Sequence, residues 1–233
     1  MDKKCLAILT ARGGSKRIPK KNIKEFMGKP MLAYAIEAAR ESGLFDTIMV
    51  STDAEDIAEI ARWHGAEVPF LRSRRNSSDH ATTADVIEEV ILEYESRGQN
   101  YSEICCLYPC VPFLTGDTLG KAHAFLKDAD AVMPVCRFPV PLEWALRIQN
   151  GRLVAQEPEK LLVRSQDLET MYYDVGMFYY IKTEAFLKYR TLTPPGTVPY
   201  LIDEMQCQDI DTPEDWRIAE MKYRLLHAEE ENN

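Results

Sequence analysis

No stretch of this 233-residue chain is long and apolar enough to read as a membrane span, because its hydrophobic runs are short and broken by charges. Cysteine is sparse and unpatterned. Cys5, Cys105, Cys106, Cys110, Cys136 and Cys207 contain no C-x-x-C pair and no framework spacing, so nearly all read as small buried apolar residues kept reduced. The four histidines are scattered and form neither a zinc pattern nor a Ser-His-Asp arrangement. Positive charge is in deficit. A net charge of −9 argues against a general nucleic-acid binder, whose phosphate contacts need a basic surface. The Walker A spacing and G-x-G-x-x-G are both missing, and there is no internal repeat. The opening residues are too few, and too soon followed by Arg12 and Gly13, to make a signal peptide, so the expected location is cytoplasmic.

Against the acidic background one segment is dense in the opposite sign. Arg12, Lys16, Arg17, Lys20, Lys21 and Lys24 fall within thirteen residues, which points to a small, concentrated anion site. The length suits one α/β domain with a small insertion. Short apolar runs at 6–10, 47–51, 103–108 and 131–135 read as strands, and 30–42, 54–64, 83–97 and 117–126 read as helices. Gly43 and Gly65 sit where helices end, and 72–81 is a polar loop. Strands alternating with helices predict a mostly parallel, Rossmann-like sheet sandwiched by helices, with ligands at the carboxyl ends of its strands. Near Cys136 the rhythm changes. Asn150-Gly151 between alternating runs at 145–149 and 152–156 predicts a hairpin, and 137–172 reads as an inserted dimerisation arm. A strand over 175–181, a helix over 183–189, a Pro-rich loop and a last helix complete the pattern, with the polar tail at 229–233 expected to fray. Thr212, Pro213 and Asp215 have the order of a helix start.

Three regions carry chemistry. Directly after the first strand come Ala11-Arg12-Gly13-Gly14-Ser15-Lys16-Arg17-Ile18-Pro19-Lys20-Lys21-Asn22. Gly13 and Gly14 let backbone N–H groups approach an anion, and Arg12, Lys16 and Lys21 can add charge to bound phosphates. Asp209-Ile210-Asp211, if extended, points two carboxylates to one side while Ile210 packs inward, an arrangement suited to Mg²⁺. D-x-D also occurs by accident, as a solvated turn before a helix. In the third region Arg164 can grip a carboxylate, while Gln166 and Asp174 can bond hydroxyl or acetamido groups. The nearby aromatic residues fit a core as well as a binding platform.

The loop at 11–22 resembles the signature loop of the CMP-sugar synthetases. The likeness continues through Gly28-Lys29-Pro30-Met31, Val50-Ser51-Thr52-Asp53, Gly65-Ala66-Glu67-Val68-Pro69-Phe70 and Asp209-Ile210-Asp211-Thr212-Pro213-Glu214-Asp215-Trp216, to about Leu226. Residues 164–168, Tyr173-Asp174-Val175-Gly176 and Phe178-Tyr179 are most similar to pseudaminic acid cytidylyltransferases; sialic acid synthetases tend to carry Asn-Gly in place of Val175-Gly176. Two departures stand out. Met177 replaces a Gln that the pseudaminic enzymes favour, and Tyr108-Pro109-Cys110-Val111-Pro112-Phe113 matches only approximately.

The resemblance implies a homodimer that joins CMP from CTP to an acidic nine-carbon sugar, releasing pyrophosphate. It implies that Arg12, Gly13, Gly14, Ser15, Lys16 and Lys21 hold the triphosphate and that Asn22 meets ribose or a phosphate. Arg72 and Thr82 or Thr83 would line the cytidine pocket, with Tyr108 beside the base. Arg164, Gln166, Asp174 and Phe178 would contact the sugar, and Asp209 and Asp211 would hold Mg²⁺. Arg12, Lys16, Lys21 and Asp211 would carry the catalysis, with no side-chain base assigned. The sugar could be pseudaminic, N-acetylneuraminic or legionaminic acid, or the eight-carbon Kdo. Two other classes compete: a glycosyltransferase using its D-x-D, and a non-catalytic nucleotide-binding module. The first usually carries that motif mid-chain rather than near the end, and the complete set of basic loop, acid pair and sugar-side residues argues against the second.

Overall fold

The computed structural model describes residues 4–230. Its first strand, β1 (Cys5–Thr10), is buried along nearly its whole length, as expected of a central strand covered on both faces. It pairs in parallel with β4 (Thr47–Ser51) on one side and β5 (Glu103–Leu107) on the other. Between them lie two short antiparallel segments, β2 (Glu25–Phe26) and β3 (Lys29–Pro30), and α1 (Met31–Ser42). Pro30 precedes the first helical residue, and Gly43, at φ 65°, closes the helix in the left-handed conformation. Next come α2 (Glu55–Trp63) and α3 (Thr83–Ser96), the latter opened by a reciprocal Thr82–Asp85 capping box. Then α4 (Gly116–His123) tightens into a 3₁₀ turn and leads to β6 (Ala131–Arg137).

The expected hairpin is present as β7 (Leu146–Gln149) and β8 (Arg152–Ala155), with Asn150 and Gly151 both at positive φ. It stands apart from the main sheet as its own two-stranded unit.

Two expectations are corrected beyond it. The single strand over 175–181 is instead two, β9 (Tyr172–Asp174) and β10 (Phe178–Lys182), separated by Gly176 at φ 65°. The Pro-rich loop after α5 (Thr183–Tyr189) contains β11 (Thr197–Leu201), whose Pro199 is tolerated because the strand lies at the sheet edge. The last helix, α6 (Pro213–Glu230), starts where Thr212, Pro213 and Asp215 placed it. The rest of the tail predicted to fray lies outside the described residues.

The main sheet runs β11-β6-β10-β5-β1-β4, with β9 also pairing β6. It is mixed: β10 is antiparallel to both neighbours, and the β1–β4, β1–β5 and β6–β11 pairs are parallel. A separate apolar cluster of Ile18, Phe26, Met31, Tyr34, Phe113, Ile210, Trp216 and Ala219 lies beside the sheet. Phe26 packs edge-on against Trp216 and Tyr223, with ring centroids 5.4 and 5.6 Å apart. Each fully buried side chain of this size stabilises the fold by about 1.5–3 kcal/mol. The cluster also positions the site, because Ile18 belongs to the basic loop and Ile210 stands between the two aspartates.

Candidate active site

A cavity of about 630 Å³ opens at the carboxyl ends of β1 and β5. Its wall includes Arg12, Ser15, Lys16, Lys21, Asn22, Arg72, Thr82, Thr83, Tyr108, Asp209 and Asp211, so most residues expected to bind the nucleotide or the metal meet there. The basic loop is fixed at both ends. Ala11 N–H donates to the Ser51 carbonyl at 3.0 Å, and the buried Asn22 amide donates to the Arg12 carbonyl at 2.9 Å. In this arrangement Asn22 shapes the loop from within.

Gly13 and Gly14 do not line this cavity. The Gly13 N–H, expected to face an anion, donates instead to Asp53 Oδ1 at 2.8 Å. A Cβ at position 13 would stand 3.0 Å from that of Ala54, a tight contact, so glycine eases the close approach to the turn after β4.

The cationic side chains already have carboxylate partners. Arg12 Nη1 and Lys16 Nζ donate to the two oxygens of Asp79 at 2.9 and 2.8 Å. These donors hold the Asp79 carboxyl below its ordinary pKa, Lys16 foremost. Asp79 escaped sequence reasoning because it lies in a polar loop with no motif of its own. Arg17, part of the basic cluster but given no role there, pairs with Asp211 Oδ2 at 2.7 Å. Lys21 Nζ reaches Asp211 Oδ1 at 3.4 Å and the Ile210 carbonyl at 2.6 Å.

Ile210 is buried while Asp209 and Asp211 both face the cavity, so the expected in–out alternation holds. Asp209 is exposed on the cavity wall, and its pKa is raised by partial desolvation and then by the charge of Asp211. Two facing carboxylates, one destabilised as an anion, form an all-oxygen donor set that fits a hard divalent cation. Asp215 steadies the pair by accepting from the Asp211 and Thr212 N–H groups.

Where the nucleoside is expected, Arg72 is buried and donates to the Ser51 carbonyl and hydroxyl at 2.6 and 3.0 Å. Burial lowers its pKa, while Asp53 and Glu89 support its charge. The Thr82 hydroxyl is occupied in the capping box, donating to Asp85 at 2.7 Å. Thr83 is the freer of the two, 3.5 Å from the Tyr108 hydroxyl. Burial pushes the Cys110 thiol in the cavity wall up to about 12, so it is not a nucleophile at neutral pH.

A second cavity of about 620 Å³ adjoins the first, and the two share Tyr108, Gly176 and Asp209. Asp174 lines it, with its carboxylate set by the Tyr179 hydroxyl at 2.6 Å and the Gly176 N–H at 2.8 Å. Three expected sugar residues lie elsewhere. Phe178 is fully buried in the main core and lines neither cavity; its neighbour Tyr179 occupies that wall. Alternating strand residues are easily misassigned by one position when both faces are apolar. Arg164 and Gln166 stand exposed at a short turn of the 137–172 segment, outside both cavities.

Comparison with known proteins adds to this geometry. A family model described as cytidylyltransferase matches residues 6–208. The chain is 37% identical over 227 residues to a pseudaminic acid cytidylyltransferase from Campylobacter jejuni, covering 96% of this chain and 98% of that one. It is 31% identical to a CMP-N,N'-diacetyllegionaminic acid synthase from Legionella pneumophila, covering 94% and 96% respectively. A solved CMP:2-keto-3-deoxy-manno-octonic acid synthetase complexed with CTP shares the fold at a TM-score of 0.67 and 17% identity, covering 97% of this chain and 99% of that one.

Proposed function

The chain belongs to the cytidylyltransferase family, and from that premise we propose that it transfers CMP from CTP to a nonulosonic acid, with pseudaminic acid as the acceptor. The observation that carries this reading is the pair of cavities joined at Tyr108, Gly176 and Asp209. One is walled by a basic loop and takes the triphosphate; the other takes the sugar. Their junction is where the two reactants meet.

The acceptor's anomeric hydroxyl attacks the α-phosphorus and loses its proton to solvent, a new P–O bond forms, and the bond to pyrophosphate breaks in line. Both reactants are anionic, so alignment requires that their repulsion be suppressed. Arg12, Lys16 and Lys21 hold the phosphates and stabilise the charge that accumulates on the leaving group. Arg72 forms a fixed floor beneath the nucleoside, with Thr83 and Tyr108 beside it. Asp209 and Asp211 would hold magnesium, which when bound neutralises phosphate charge.

Asp174, oriented by Tyr179, accepts from sugar hydroxyl or acetamido groups. The hairpin exposes Leu146, Ile148 and Leu153, with Ile148 78% exposed. Such an apolar face supports a homodimer in which the arm carries Arg164 and Gln166 to the partner's sugar cavity. Among the described residues no helix is long and apolar enough to cross a membrane. We place the reaction in the cytoplasm, where CTP is made.

The test is pyrophosphate release with CTP and magnesium, offering pseudaminic, N-acetylneuraminic and legionaminic acids separately. Release with pseudaminic acid far above the others supports the full reading. Preference for another of these sugars keeps the chemistry and overturns the acceptor. Absence of release with all of them, despite CTP binding, overturns the proposal.

A further inference from the structure

At the opposite end of the central strands lies a cluster that nucleotidyl transfer does not use. Cys5 opens β1, Glu103 opens β5, and the two are direct partners in the parallel ladder. His123 ends α4 beside them. One ligand atom from each of the three lies within 4.8 Å of the other two, and His123 Nε2 is 2.8 Å from Glu103 Oε2. Cys5 and Glu103 are both 4% exposed. Thr10 and Leu107, where the same strands run into the nucleotide cavity, are at their far ends.

We propose that Cys5, Glu103 and His123 form a second metal site, selective for a zinc-like cation and separate from the carboxylate pair. A thiolate, an imidazole and a carboxylate together favour a borderline cation over magnesium. Ligands on a tetrahedral zinc stand about 3.3–3.6 Å apart by its bond lengths, the longer distances being those to sulfur. The cluster therefore needs only a slight parting of His123 from Glu103 and a small closure on Cys5. Binding expels the Cys5 thiol proton to solvent, and His123 offers the Nε2 lone pair with its proton on Nδ1. The His123 side chain is 28% exposed, which gives the ion an entry path and water the fourth position.

The surroundings fit. The Tyr180 ring stands edge-on to His123, centroids 5.2 Å apart. Its hydroxyl is buried beside Cys105, Cys5 and Glu103, with only the weakly accepting Cys105 thiol near it as a partner. A thiolate at Cys5 supplies an acceptor there that the thiol offers only weakly.

The experiment is a titration of metal-stripped protein with Co²⁺, read by absorbance. Wild type is expected to gain, at one equivalent, a thiolate-to-cobalt charge-transfer band and the intense visible bands of a four-coordinate ion. Zinc should displace both, and Asp211→Ala should leave both unchanged. His123→Gln, at a part-exposed position, should weaken cobalt binding by more than about tenfold, the least that even an outer-shell partner is worth. Cys5→Ser should remove the charge-transfer band. Absence of that band in wild type, its persistence in Cys5→Ser, or unchanged affinity in His123→Gln would each overturn the site.

Discussion

The ammonium of Lys21 donates to the main-chain carbonyl of Ile210 at 2.6 Å, across 189 residues of sequence. This bond joins the basic loop to the acid pair from the outside, while Ile18 and Ile210 join them inside through a shared apolar cluster. The groups proposed to bind phosphate and metal are thus held as one body. Lys21→Ala should lower kcat/KM by about 100-fold or more, the scale of losing one preorganised charge-stabilising donor. Steady-state kinetics check this, with circular dichroism unchanged.

Asp79 occupies Arg12 and Lys16, side chains to which the proposed function assigns the triphosphate. Asp79→Asn should therefore tighten CTP binding by roughly two- to five-fold, the range of an exposed ion pair. The difference should shrink at high salt. Calorimetric titration at two ionic strengths measures both effects; weaker CTP binding in the variant would show that Asp79 helps hold the nucleotide.

Asp211→Ala should abolish turnover and leave the fold intact, because its side chain faces the cavity while Ile210 keeps its place in the core. Near-normal activity would remove Asp211 from the metal site. Thermal melting run in parallel separates loss of chemistry from loss of structure.

Tyr179→Phe removes the 2.6 Å bond that orients Asp174. KM for the sugar should rise roughly tenfold, the scale of losing one hydrogen bond to a charged group, while KM for CTP stays constant. Equal changes in both constants would place Tyr179 outside sugar binding.

Phe178→Ala, one residue away, should behave differently. Its ring is fully buried, so the change leaves a void and costs about 3–5 kcal/mol of stability. Denaturant unfolding measures the loss, and KM for the sugar should hold in the protein that remains folded.

The alternating strands and helices were legible because their apolar runs and end signals are local: Gly43 closes α1, and Asn150-Gly151 turns the hairpin. β11 was hidden by its prolines, and the break at Gly176 was masked by a continuous apolar and aromatic run. The basic loop and the acid pair were legible as motifs, and their meeting was implied by the family resemblance. Asp79, Tyr179 and the Cys5–Glu103–His123 cluster were not. Asp79 and the cluster gain their meaning from neighbours distant in sequence, such as Lys16 for Asp79, 63 residues away, whereas Tyr179 acts through Asp174 only five residues away and was passed over for its neighbour Phe178. The Asp53 contact on the Gly13 N–H was likewise not legible, because it depends on the turn after β4 coming close to the basic loop.

The central claim is that an acceptor sugar's own oxygen attacks the α-phosphorus where the two cavities meet. An isotope-labelled anomeric oxygen tests it most directly, with CTP and magnesium supplied and both products analysed by mass spectrometry. The account predicts a CMP-sugar that carries the label and pyrophosphate that does not. A CMP-sugar lacking the label, or CMP released without any sugar attached, would contradict it.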